Sequence, residues 1–322
     1  MSKCSRRHLQ YFYNASAYGL AGEIERPMRH SIPAQAATTL AGSGGRGFQR
    51  VESFSATPFV SFDAAYTEVG GSFDECHNQH TTFAYSVIEG LNIAGMVTAD
   101  RVVARMAIYS PSMNNGNEDG QPATRGEKLP KKTGRRNKVS TASTSGEHTF
   151  DITGSYFDNL RIAGQKIEVQ LATHRLHQYQ TYSDLSGAIR GGADDLLPWG
   201  DLDPGRLNKL EELEDEYHAL SGFGTWARQW KKDKQSRSMD GMYWCSAAGH
   251  YDLKKDFPNT EMHGFGGIIC VPKFGVVRLA EVVVHKDRRH LHMLRVDMCS
   301  TSGGGISGGG AGGSGGGSMP PP

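Results

Sequence analysis

The chain has 322 residues, with 35 Lys and Arg against 34 Asp and Glu, for a formal charge of +1. That balance argues against a globally basic nucleic-acid binder, so nucleic acid is not an expected partner. Apolar residues are 37% of the chain, enough for a globular core, and no run of about 18 apolar residues exists, which excludes a membrane-spanning helix.

Lys3, Arg6 and Arg7 open the chain, but His8, Gln10, Asn14 and Ser16 interrupt the apolar stretch that a signal peptide needs. The expectation is no leader and a cytoplasmic location. The cysteines, Cys4, Cys76, Cys245, Cys270 and Cys299, are odd in number and widely spaced. They suit a reducing compartment and buried thiols, with a Cys245–Cys270 pair as the alternative.

Strand candidates then follow one another: 9–24, 48–56, 59–70 and 81–93, punctuated by Gly70-Gly71, Gly90 and Gly95. Between two of them lies Cys76-His77-x-x-His80, three possible zinc ligands within five residues. No C-x-x-C or H-x-x-x-H elsewhere completes a tetrahedral set, so a polar turn is the first reading and a metal site the second. Val102, Ala104, Met106 and Ile108 share one face of a further strand. Residues 111–147 are polar. Between residues 125 and 138, Arg125, Lys128, Lys131, Lys132, Arg135, Arg136 and Lys138 face the single acid Glu127, a local charge of +6. This stretch is expected to be a mobile loop that binds an anion or a partner.

Phe150 and Ile152 begin another strand, and Ile167, Val169 and Leu171 alternate like one. Residues 174–240 break the pattern. Asp203 suits an N-cap, Pro204 the first helical position and Gly222 a helix end. Leu207, Leu210, Leu213, Tyr217 and Leu220 recur at helical spacing, followed by Phe223, Trp226 and Trp230. A helical insertion packed across a sheet is expected, with its helices between 200 and 235. Asp194 to Glu216 holds nine acids against Arg206 and Lys209, so it can meet the basic loop within or between chains.

Strands return at 243–251 and at Val277 to Val284, the latter apolar enough to be buried on both faces. In the last one Leu291 and Met293 point one way while Leu294, Val296 and Met298 need a one-residue shift, so a β-bulge near Met293 is expected. Ser300 to Pro322 is Gly/Ser-rich and ends in three prolines; it is expected to be disordered and dispensable.

The fold class that emerges is mainly β, an antiparallel β-sandwich with a helical insertion. Its expected organisation is an N-terminal β half (1–110), a basic loop (111–147), a β continuation (148–173), the helical insertion (174–240), a C-terminal β part completing the same sandwich (241–299) and the tail (300–322).

Three stretches carry a resemblance: Gly90-Leu91-Asn92-Ile93 with Val97-Thr98-Ala99-Asp100; Gly154 to Gly164; and Val271 to Glu281 followed by Leu291 to Val296. Together they resemble the choice-of-anchor P type of bacterial surface-protein domain and related uncharacterised bacterial proteins. The resemblance implies a β-rich fold and a surface location. It transfers no catalytic residue.

No G-x-S-x-G, phosphate-binding Gly-Lys-Ser/Thr loop or H-E-x-x-H is present. Asp100 and Glu281 fall in the resembling stretches and read first as structural acids. His290 and His292 share a strand face, and His174-x-x-His177 is a similar pair. The functional expectation is a non-enzymatic structural or protein-interaction module without a cofactor, its partner a protein and one candidate partner a second copy. The alternative is a hydrolase-like or metal-binding enzyme with a His-rich site, for which His77, His80, His263, His290 and His292 would have to converge.

Overall fold

The computed structural model describes residues 10–24, 29–112, 147–238, 241–249, 261–298, 304–314 and 318–319. It is mainly β, 51% strand and 18% helix, and its sheets are antiparallel, as the alternating patterns require. The strands before the helices are β1 (Gln10–Tyr11), β2 (Asn14–Ile24), β3 (His30–Gln35), β4 (Thr38–Thr39), β5 (Gly45–Val51), β6 (Phe54–Ala56), β7 (Val60–Phe62), β8 (Ala64–Asp74), β9 (Gln79–Ile93), β10 (Val97–Pro111), β11 (Thr149–Asp151), β12 (Tyr156–Asp158), β13 (Arg161–Ile162) and β14 (Gln165–Lys166). Four α-helices follow, α1 (Thr173–Leu176), α2 (Tyr182–Gly191), α3 (Pro204–Glu214) and α4 (Phe223–Lys232). The chain then returns to strands: β15 (Met242–Ser246), β16 (His263–Phe265), β17 (Ile268–Val271), β18 (Gly275–His285), β19 (Arg288–Met298), β20 (Gly304–Ser314) and β21 (Ser318–Met319).

One sheet has ten strands built around β9 and β10, with β8 and then β5 on the free side of β9. A second has nine, in the order β16-β17-β18-β19-β20-β2-β3, with β15 beside β18, while β1 and β21 pair as a separate two-stranded ribbon. The two large sheets pack face to face, β2, β19 and β20 lying against β8, β9 and β10. Leu20, Ala65, Ile88, Val102, Ala104, Met106 and Leu294 are among the side chains between them, all buried in one apolar core.

Ile167 to Leu171 alternates in burial but forms no ladder; Leu171 makes a single bridge to Ala248. Cys245 and Cys270 face Val282 and Val276 toward opposite ends of the same edge of β18 and form no disulfide with each other.

The two-phase pattern of β19 is real, but its cause is not a bulge. A bulge would shift the register by one residue, whereas Leu279 faces Leu294 and Glu281 faces His292 without a slip. Ala280, at φ 49°, sits in the row between, opposite Met293. Both strands change phase in the same row, and the ladder continues unshifted into β20 and β2, where Gly308 and Gly310 face Leu20 and Tyr18. The other sheet repeats the device at Gly90, φ 64°, between the Glu89–Arg101 and Leu91–Ala99 pairs. A side chain at Gly90 would come within 2.0 Å of Asp63.

The helices begin earlier than expected, at Thr173, and α2 precedes the apolar stripe. Thr181 caps α2 by accepting from the Asp184 N–H, and Asp203 caps α3 by accepting from that of Arg206. Leu207, Leu210, Leu213, Tyr217 and Leu220 are all buried. The stripe is not one helix: α3 stops at Glu214, and Gly222, at φ 82°, starts α4 instead of ending α3. Glu211 pairs with Arg228 to tie α3 to α4. Arg237, 1% exposed, donates to the Trp230 and Ile189 carbonyls and to the Asp194 carboxylate, which closes the layer on itself. The layer meets the nine-stranded sheet through Phe223 against Trp244 and through Ser186 hydrogen-bonded to Tyr243.

The tail corrects the sequence expectation most sharply. Residues 304–314, expected to be disordered, form β20 in the middle of the nine-stranded sheet, paired with β19 from Arg288↔Ser314 to Met298↔Gly304 and with β2 from Asn14↔Ser314 to Ile24↔Gly304. The reasoning that glycine pays a high ordering entropy stands, but ladders on both sides offset it. The groove also needs a strand without side chains at one point at least, because a Cβ at Gly310 would lie 2.2 Å from the Tyr18 ring.

Candidate functional site

The phase change at Ala280 has a chemical result. In a regular strand Arg278 and Glu281, three residues apart, would point to opposite faces. Here both line one pocket on the outer face of the nine-stranded sheet, together with their cross-strand partners Arg295 and His292. β15 adds Met242 and Trp244, β18 adds Val283, and α4 lays Phe223 and Trp226 over the top. The resulting pocket encloses about 310 Å³.

Its polar floor is ordered. Arg278 donates to the Ala219 carbonyl at 2.6 Å and meets the Asp297 carboxylate at 3.3 Å. Its guanidinium lies 5.1 Å from the Phe223 ring centroid and 5.7 Å from that of Trp244, so the cation is held between aromatic rings. Arg295 reaches the other oxygen of Asp297 at 3.4 Å. Glu281 is 4% exposed, and its Oε1 has no hydrogen-bond partner.

Burial pushes the Glu281 carboxyl above the ordinary carboxylate range, against the pull of Arg278, Arg295 and a hydrogen bond from Trp244. Burial, His290 and Arg295 push the His292 imidazole down to about 4. Burial therefore shifts Glu281 toward its acid form and His292 toward the neutral imidazole. Such a pair can donate and accept hydrogen bonds to a neutral polar group while the rings take a flat apolar body.

The alternative reading needs His77, His80, His263, His290 and His292 to converge, and they are spread over the β8–β9 turn, β9, β16 and β19. His292 lines the pocket and His290 lies two residues along the same strand. His77 is in the turn between β8 and β9, with Nδ1 2.7 Å from the Asp74 carboxylate. His80 is on β9, stacked 3.7 Å from Tyr11 and hydrogen-bonded to the Tyr13 hydroxyl at 2.9 Å. Cys76 is exposed in the turn. Cys76, His77 and His80 are thus near in sequence but engaged separately, and among the described residues no group of three His, Cys, Asp or Glu side chains is arranged to hold a metal. His177 lies 3.7 Å from Asp151, away from the pocket. Arg125, Lys128, Lys131, Lys132, Arg135, Arg136 and Lys138 lie outside the described residues.

Sequence reasoning named Glu281 as a structural acid and placed no site around it. The signal was present in the two apolar phases of 291–298, since a shared phase change gathers residues of odd spacing on one face.

Neither a curated protein nor a solved structure matches the chain. A family model does, over residues 11–118 and 138–285, and these segments include the pocket's walls from α4, β15 and β18. The chain therefore belongs to DUF8256, a domain of unknown function.

Proposed function

We propose that the chain is a non-enzymatic interaction module and that the pocket beside Glu281 is its recognition site. One observation carries this reading: a carboxyl 4% exposed, with Oε1 unpaired, forms part of an aromatic-walled pocket. An unpaired buried polar atom costs about 1–3 kcal/mol, and a ligand that pairs with it recovers that cost. The fitting ligand has a flat apolar body and a hydrogen-bonding head. An aromatic side chain of a partner protein, including a second copy, meets the same description.

Two of the four tryptophans line the pocket, so their fluorescence reports occupancy. Nicotinamide, benzoate and benzylammonium are the probes. At least one is expected to give a saturable change, weakened about tenfold or more in Glu281→Leu. No saturable response to any probe, or an unchanged response in the variant, refutes the reading.

The second reading is an enzyme, and the cross-strand pairing of Glu281 with His292 favours it. A carboxyl and an imidazole with displaced pKa values are the groups that general acid–base catalysis uses. Turnover of a nitrophenyl ester or glycoside that disappears in both Glu281→Gln and His292→Asn would replace the binding reading with this one.

A further inference from the structure

The outer face of the ten-stranded sheet carries a second constellation, far in sequence from the pocket. Register alone assembles it. Arg50, Tyr66, Val87, Val103 and Tyr156 form one row across β5, β8, β9, β10 and β12. Phe48, Glu68, Tyr85 and Arg105 form the row on one side of it, and Glu89, Arg101 and Asp158 the row on the other. Val87 and Val103 are buried although they point outward, so the surrounding side chains cover them. Phe48 is 61% exposed and Tyr156 42%. Tyr66 and Tyr85 are half-buried, their rings 6.3 Å apart. With strands about 4.8 Å apart, the five-strand row is roughly 19 Å wide, longer than one sugar ring.

The charges on this face cancel locally. Arg46 meets Glu68 at 3.7 Å, Arg50 meets Glu52 at 2.9 Å and Arg101 meets Glu89 at 2.6 Å. Arg101 also reaches Tyr156, and Arg105 donates to the Thr153 carbonyl at 3.0 Å. A phosphate chain would have to break these pairs to find a cation, and its affinity rests on such cations. A neutral chain with apolar C–H faces and many hydroxyls needs no such exchange. Aromatic rings stack on the C–H faces, while planar guanidinium and carboxylate groups donate to and accept from the hydroxyls.

From this arrangement we infer that the tyrosine–arginine face binds an extended neutral polysaccharide. The site is separate from the Glu281 pocket and stands or falls independently of it.

The test is native-gel affinity electrophoresis of the full chain in hydroxyethylcellulose, dextran or galactomannan, with poly-dT as the anionic comparison. At least one neutral polymer is expected to retard the chain. Tyr156→Ala should weaken that retardation about tenfold, the size of one lost stacking contact. Tyr156→Phe, which keeps the ring, should retain it, and unchanged melting of both variants separates binding from folding. No retardation by any neutral polymer overturns the inference, as does full retardation of Tyr156→Ala. Tighter binding of poly-dT, lost in the same variant, would make the face a nucleic-acid platform instead.

Discussion

The two outer faces use the same residue types to opposite ends. On the ten-stranded sheet the arginines lie in solvent, their partner Glu52 is exposed, Glu68 and Glu89 are half-buried, and aromatic rings stand beside them. On the nine-stranded sheet α4 covers Arg278 and Glu281, leaving Arg278 Nε and Glu281 Oε1 unpaired. Exposed ion pairs are worth little to stability, because water screens both partners. Covered ones displace pKa values and create unmet hydrogen bonds, which is the condition for a chemically distinctive site. The helical layer is what turns an ordinary sheet face into a pocket.

If that layer is integral to the fold, Leu210→Ala, at a position 0% exposed, should cost about 2–5 kcal/mol in denaturant unfolding. A cost below about 1 kcal/mol, under the lower end of that range, would mean that the layer is loosely docked and the contrast between the faces is shallow. Gly310→Val should cost about 1–3 kcal/mol, because the new side chain meets Tyr18. A neutral result would mean that β20 does not thread the groove beneath that ring.

The pH dependence sharpens the contrast at the level of two groups. Glu281 is held above the ordinary carboxylate value of about 4.3, so the folded chain keeps a proton that the unfolded chain releases. Its contribution is complete at acid pH and declines as pH rises from there through the raised folded value. His292 runs the other way: its contribution is present above about 6.5 and is lost as pH falls toward about 4. Glu281→Gln should therefore gain stability relative to the parent as pH rises from 4 to 7, a range spanning the reference values of the two groups. His292→Asn should gain as pH falls through the same range. Melting temperatures that track each other across it would deny that either group is displaced by its cover. The smallest effect belongs to the bare face: Tyr156→Ala should change stability by under about 1 kcal/mol while altering binding. A larger loss would make that tyrosine a packing residue and not a recognition residue.

The sandwich was legible because period-two alternation in 81–93 and 102–108 and glycine punctuation depend on local chemistry alone. The helical stripe was legible for the same reason, and Asp203 and Pro204 marked its start correctly. β20 was not, because a strand of glycines carries no hydrophobic alternation and its partners lie elsewhere in the chain. Glu281 was visible as a residue but not as a site, since its setting depends on Trp226 and Trp244 arriving from α4 and β15. The tyrosine–arginine face was hidden more completely. Its rings come from four strands, and only the register brings Tyr66 and Tyr156 into one row.

β20 also sets the order in which this protein can be completed. Asn14 must meet Ser314 and Ile24 must meet Gly304 before the nine-stranded sheet has a continuous middle. Local hairpins such as β9–β10 and β18–β19 close small loops and form early, whereas the β2–β20 ladder closes almost the whole chain and waits for them. Contacts made after the transition state leave the folding rate alone and govern the escape rate. Stopped-flow measurements on Gly310→Val should accordingly show faster unfolding with little change in refolding, making the glycine strand the latch that sets the lifetime of the folded state.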